Sequence, residues 1–231
     1  MKALIAIVSC HRFKNRADAQ RATWIKELDS RFDYKFFLGK DDREPGVDEV
    51  FLDVPDDYKG LPEKVHAAMG WAVENGYNDV LKCDDDVLLM PARLVIPTSL
   101  YEGRVNTSSR NLAPRGWCSG YAYWLRGAAL KLVASTKPTM AAEDLWVGSL
   151  LNANGIEPTK NPDFVVLSHI SRMLWHTFRA KIVATCEFPG GLMYDIHRVM
   201  NGTLTKEETS QNNPRLARIP QRIGHVVRRR Q

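Results

Sequence analysis

No stretch of the 231-residue chain holds the ~20 consecutive apolar residues that a membrane-spanning helix needs. The apolar start, Ala3–Val8, stops at Ser9 and is too short for the core of a signal peptide. A CxxC pair is also missing. Cys10, Cys83, Cys118 and Cys186 stand far apart, three of them in apolar, strand-like runs, so reduced buried thiols are expected rather than disulfides or zinc. There is no internal repeat and no low-complexity block. Acidic residues are absent from 209–231, where arginines occupy 215, 218, 222, 228, 229 and 230. Without that tail the net charge of +5 falls to about −1, so the body carries no nucleic-acid signal and no nucleic-acid partner is expected. With 44% apolar and 26% charged residues the chain can bury a sizeable core. Together these features predict a soluble, cytoplasmic protein with one domain over 1–208. The basic tail over 209–231 is a candidate for peripheral contact with an anionic membrane.

What is present is organised around residues 80–91, VLKCDDDVLLMP. Apolar β-formers flank Asp84, Asp85 and Asp86, and Pro91 closes the segment, which predicts two short buried strands around an acidic centre. Three adjacent carboxylates repel one another and are costly to bury uncompensated. If the chain stays extended, Asp84 and Asp86 face one side and Asp85 the other. Two oxygen ligands at that spacing suit Mg2+ or Mn2+. The alternative is a solvated acidic turn between strands.

Strand and helix signals alternate from residue 3 to 90 in a βαβ pattern, which predicts an α/β fold. Ala3–Val8 fits a strand buried on both faces. The loop after it carries Arg12, Lys14, Arg16 and Arg21 and leads into a helix with Asn15 as candidate cap. Such a loop either receives phosphates at the end of a parallel strand or is a solvated helix face. Strands are predicted over 34–38 and 49–54. A helix is predicted over 62–75, with Pro62 in its first turn, Gly76 past its end and His66 at a surface or boundary. Residues 93–116 read as a long irregular connection. The aromatics of WCSGYAYWL (117–125) serve the core or stack on a sugar or base. Helices follow over 126–135 and from Glu143 and Asp144 to Gly155, and those two acids either complement the helix macrodipole or do chemistry. A strand is predicted over 164–167, with short strands or loop over 179–187 and 193–197 and a polar helix-capable segment from Thr203.

Several of these segments resemble, in order, elements of the eukaryotic-type β-1,3-glycosyltransferases, the group of β-1,3-galactosyltransferases, β-1,3-N-acetylglucosaminyltransferases and Fringe proteins. NRADAQRATW, with Arg16, Ala19, Arg21, Thr23 and Trp24, is similar to the family's R-R-x-A-I-R-x-T-W element. FFLG at 36–39 is similar to FLLG, and DDYKGLPEKVHAAMGWAVEN keeps Tyr58, Leu61, Lys64 and Trp71 of a further element. VLKCDDDV nearly repeats the family's V-L-K-x-D-D-D-V, while CSGYAY and EDLWVG resemble C-S-G-x-G-Y and E-D-V-x-x-G. The likeness spans about residues 5–156. It departs at Ala17, where the family has arginine, at Ala122, where it has glycine, and in a short 91–116 region. The family's membrane anchor has no counterpart, and the acceptor is left open.

The resemblance implies a GT-A fold, with a Rossmann-like, mostly parallel central sheet flanked by helices. It implies inverting transfer of a hexose, galactose or N-acetylglucosamine, from a UDP-sugar to the hydroxyl of a glycan or glycoconjugate in β-1,3 linkage. It places Mn2+ (or Mg2+) at the DDD motif, on Asp86 and Asp84 with a late histidine, for which His197 in MYDIHR matches best, ahead of His169 and His176. It makes Asp144 the catalytic base, with Glu143 beside it.

The residue chemistry points the same way. A nucleoside diphosphate leaves once its charge is neutralised, which a divalent ion on Asp86 and Asp84 would do. Arg16, Arg21 and Lys64 either add cationic support for the donor, beside Asp84 and Asp85, or serve structure. The acceptor hydroxyl needs a carboxylate base opposite the leaving group, and Asp144 can fill that place. A metal-dependent nuclease or phosphohydrolase would also use clustered carboxylates, with nucleic acid on the basic tail. A non-catalytic glycan-binding relative would keep the fold but has no need of both acidic pairs.

Overall fold

The computed structural model describes residues 2–108, 111–165, 184–185, 193–194 and 197. His169, His176, Cys186 and the basic tail lie outside these residues, as do most of the expectations beyond residue 165. Strand β1 (Ala3–Val8) is paired in parallel on both sides, with β2 (Phe32–Leu38) and β4 (Asp79–Asp84). Strand β3 (Glu49–Phe51) extends the parallel set beyond β2. Past β4 the sheet turns antiparallel through β7 (Trp117–Arg126) and β6 (Tyr101–Asn106), and β8 (Thr159–Lys160) adds a parallel edge. The result is a seven-stranded, mostly parallel mixed sheet in the order β3-β2-β1-β4-β7-β6-β8. A second, small sheet joins β5 (Leu88–Leu89), β10 (Ala184–Thr185) and β9 (Phe164–Val165) in the order β5-β10-β9.

Helices cover both faces of the main sheet, which is why β1 is apolar without alternation. Ala3, Ile5 and Ile7 pack with Ala17 and Ala19 of α1 (Lys14–Ala22) and with Trp24 and Ile25 of the following 3-10 turn. Leu4, Ala6 and Val8 pack on the other side against α2 (Leu61–Glu74), α3 (Gly127–Ser135) and α4 (Glu143–Ala153). Val65, Ala68, Met69 and Ala72 give α2 its buried stripe. Burying a Leu, Ile or Met side chain in this way contributes about 1.5–3 kcal/mol.

Four expectations are corrected. Asn15 is not a cap: a 3-10 turn, His11–Phe13, precedes α1, whose cap position is Phe13. The 93–116 connection is not irregular throughout, because Tyr101–Asn106 pairs with β7. The strand over 49–54 stops at Phe51. The chain does not stay extended through the three acids; β4 ends at Asp84, and Val87 N–H donates to the Asp84 carbonyl at 3.2 Å to close a turn over Asp85 and Asp86. Cys10, Cys83 and Cys118 are free thiols, as expected. No helix among the described residues is long and apolar enough to cross a membrane.

Candidate active site

The order β3-β2-β1-β4 reverses its direction of winding between β1 and β4, and in such sheets the crevice outside the carboxyl ends at that reversal receives ligands. Val8 and Asp84 are register partners there, so Ser9 and the acidic turn emerge side by side. A cleft of about 250 Å³ opens at this point, lined by Ser9, Phe13, Arg16, Tyr58, Lys64 and the three acids among others.

The turn is held from three sides. Ser9 Oγ donates to Asp85 Oδ2 at 2.8 Å, and Arg16 Nη1 donates to Asp85 Oδ1 at 3.0 Å. The same Arg16 nitrogen lies 3.6 Å from Asp86 Oδ2, and the guanidinium stacks 3.9 Å above the Phe13 ring. Underneath, Gln20 Nε2 donates to the carbonyls of Asp84 and Val87, and Trp24 Nε1 donates to that of Val87. Burial raises the Asp85 carboxyl, and the bonds from Ser9 and Arg16 oppose that rise. Asp86 is pushed up to about 6 by burial first and then by the charges of Asp84 and Asp85.

Asp84 belongs to a second set of contacts. Lys82 precedes it by one alternation of β4 and is fully buried; its Nζ donates to Asp84 Oδ1 at 2.6 Å and to the Gly120 carbonyl. It also lies 3.7 Å from Glu143 Oε2. Burial works to lower its pKa, but Asp84 and Glu143 outweigh that and hold it charged above the ordinary lysine range. Glu143 is buried and accepts the hydroxyl of Tyr123; burial pushes its carboxyl up to about 7, against the pull of Lys82 and Tyr123.

Asp144 is half-buried. Its Oδ2 accepts Trp117 Nε1 at 3.3 Å and Gly120 N–H at 3.1 Å, and its Oδ1 accepts Leu145 N–H at 2.8 Å. Gly120 therefore gives its carbonyl to Lys82 and its N–H to Asp144. A Cβ there would sit 2.9 Å from Glu143 Oε2, so any side chain at this position would displace the Glu143 carboxylate.

Two of the cations named from the sequence are held by carboxylates outside the acidic turn. Lys64 is buried and donates to the Ser9 carbonyl and to Asp56 Oδ1, each at 2.7 Å. Asp56 also accepts the backbone N–H of Gly39 and of His11, each at 2.7 Å. Lys64 thus ties α2 to the end of β1 beneath the cleft. Arg21 gives Nε and Nη2 to Asp48, at 2.8 and 3.0 Å, and Nη1 to Asp18 at 3.0 Å. It faces a second cleft of about 340 Å³, lined also by His11, Asp41, Arg43 and Glu49.

The structure therefore brings together Arg16, Asp84, Asp85, Asp86, Glu143 and Asp144. His197 Nε2 lies 2.8 Å from Glu27 Oε1. Among the described residues no three His, Cys, Asp or Glu side chains form a ready-made metal cage. Ser9, Lys82 and Gly120 were not singled out from the sequence. Lys82 had a signal, since period-two alternation puts it on the face of Asp84. Ser9 had a weaker one, its place just past an apolar strand. No family model matches the chain, and no curated protein matches it.

Proposed function

We propose that the protein is an inverting, divalent-metal-dependent glycosyltransferase of GT-A type, moving a hexose from a UDP-sugar to a glycan hydroxyl. One observation carries the reading most: two acidic motifs distant in sequence, the DDD turn and the Glu143–Asp144 pair, meet through Lys82 at the carboxyl ends of parallel strands. The carboxyls of Asp84, Asp85, Asp86, Glu143 and Asp144 outnumber the cations that touch them, Lys82 and Arg16, among the described residues. Burial raises the Asp86 carboxyl first, and the neighbouring charges of Asp84 and Asp85 add to the rise. The excess of carboxyls suits a divalent ion on Asp86 and Asp84, with oxygen ligands at the cleft wall. A bound ion would neutralise the diphosphate as it leaves.

The chain's own residues supply the rest. Arg16 adds positive charge at the cleft beside the turn. Asp144, fixed by Trp117 and Gly120, accepts the proton of the acceptor hydroxyl as that oxygen attacks the anomeric carbon. Glu143 is too enclosed to reach an acceptor and instead supports Lys82 and Tyr123.

The test is a donor panel of UDP-galactose, UDP-GlcNAc, UDP-GalNAc and UDP-glucose with Mn2+, read as UDP release. Release from at least one donor is expected, with loss in EDTA and loss of Mn2+ and donor binding in Asp86→Ala. Full activity in excess EDTA would sink the reading.

A further inference from the structure

We propose that Lys82 is a positioning residue that sets the two acidic motifs relative to each other. The inference rests on the reading above and adds a role for a side chain that touches neither substrate. An ammonium has three N–H donors, and this one is shared among three groups from three elements. These are the Asp84 carboxylate at the end of β4, the Gly120 carbonyl within β7 and the Glu143 carboxylate at the start of α4. Two further contacts restrict it. The ammonium lies 5.6 Å from the centre of the Tyr123 ring, and the Tyr123 hydroxyl holds the other oxygen of Glu143.

Because Gly120 N–H holds Asp144, the orientation of Asp144 depends on the same peptide segment that Lys82 fixes from its carbonyl side. One short path therefore runs from Asp84 through Lys82 and Gly120 to Asp144. Asp84 has one oxygen taken by Lys82 and the other left to meet a cation, so Lys82 selects the rotamer that Asp84 presents. Supporting contacts of this kind around metal ligands are commonly worth 10- to 100-fold in affinity.

Charge and position predict opposite results. Lys82→Met keeps most of the stem and removes the ammonium. If Lys82 only contributes charge, its loss makes the site more negative, and Mn2+ should bind as tightly or more tightly. If it positions Asp84, Mn2+ should bind about 10-fold or more weakly. Mn2+ affinity is measured by titration on the full chain, with no donor and no turnover involved. Because Lys82→Met leaves Glu143 buried without its counter-charge, Lys82→Met/Glu143→Gln is measured beside it. That pair removes both members of the buried contact together and keeps the bond from Tyr123.

Weakened Mn2+ binding in the double variant, with the thermal midpoint near the parent's, supports the proposal. So does a fall in kcat at saturating Mn2+ and donor, since Asp144 would also be misplaced. Parent-like Mn2+ affinity in the double variant overturns it and leaves Lys82 as a counter-ion for the buried carboxylates. If the parent binds Mn2+ but releases UDP from no donor, the glycosyltransferase reading fails, while the Mn2+ comparison still decides the role of Lys82.

Discussion

Ser9 Oγ donates to Asp85 Oδ2 at 2.8 Å, which makes the end of β1 and the middle of the acidic turn a single surface. Asp85 has Arg16 as its other side-chain partner at hydrogen-bond distance. Ser9→Ala should therefore cost about 1–3 kcal/mol, the range for losing a buried bond to a charged group. Urea unfolding with an unchanged slope is the measurement; a loss below a few tenths of a kcal/mol would show that Arg16 alone holds the turn.

Asp144→Asn is the sharpest test of the base. The change is nearly isosteric, and its carbonyl oxygen can still accept from Trp117 and Gly120. Turnover should fall about 10²–10⁴-fold with little change in donor affinity. If Asp144 acts only at the helix start, the cost is about 1 kcal/mol of stability with near-normal turnover in the folded fraction. Thermal midpoint, donor binding and turnover on one preparation separate the two.

Glu143 predicts a pH dependence of stability. Its carboxyl rises from an ordinary value of 4.5 to about 7, because burial outweighs the pull of Lys82 and Tyr123, and Asp84 and Asp144 add to the rise. Between those values the folded state holds a proton that the unfolded chain has released, so stability falls as pH rises through the window. Asp86, at about 6, works in the same direction, whereas His66, lowered by burial, works against it. The difference between the parent and Glu143→Gln removes the contribution of His66. In EDTA the thermal midpoint of the parent should drop more than that of the variant between pH 5 and pH 7.5, the range these carboxyls set. Parallel curves would exclude a buried proton on Glu143.

Two glycines should respond oppositely to alanine. At Gly120 the added carbon meets Glu143 Oε2 at 2.9 Å and Asp144 Cβ at 3.3 Å, so the buried Glu143 carboxylate must shift and the Asp144 side chain must give slightly. A loss of about 1–3 kcal/mol is expected, together with reduced turnover. At Gly70, inside α2, nothing lies within 4 Å, and alanine should stabilise by about 0.5–1 kcal/mol. Equal effects at the two positions would argue against the tight packing around Gly120.

Legibility in the sequence tracked how local each cause was. Strand β1, helix α2 and the start of α4 carry their evidence in their own residues: an unbroken apolar run, a stripe with Pro62 at its head, and paired acids before an apolar face. Strand β6, YEGRVN, has one glycine and little apolar character, and its extended form comes from β7 beside it. The roles of Lys64 and Arg21 could not be read locally, because Asp56 and Asp48 are loop residues that the fold alone brings within reach. The acidic turn failed for a related reason. Alternation describes an extended chain, and here the bonds from Gln20 and Trp24 to backbone carbonyls hold a turn instead.

The pairing of β1 with both β2 and β4 also governs how the molecule comes apart. Edge strands such as β3 and β8 can open and reclose without disturbing the middle of a sheet, and amide exchange there needs only local fluctuation. Amides of β1 and β4 are released only when the whole sheet separates. The acidic turn is mounted on those two strands, so the site should survive fraying and be among the last parts of the fold to be lost.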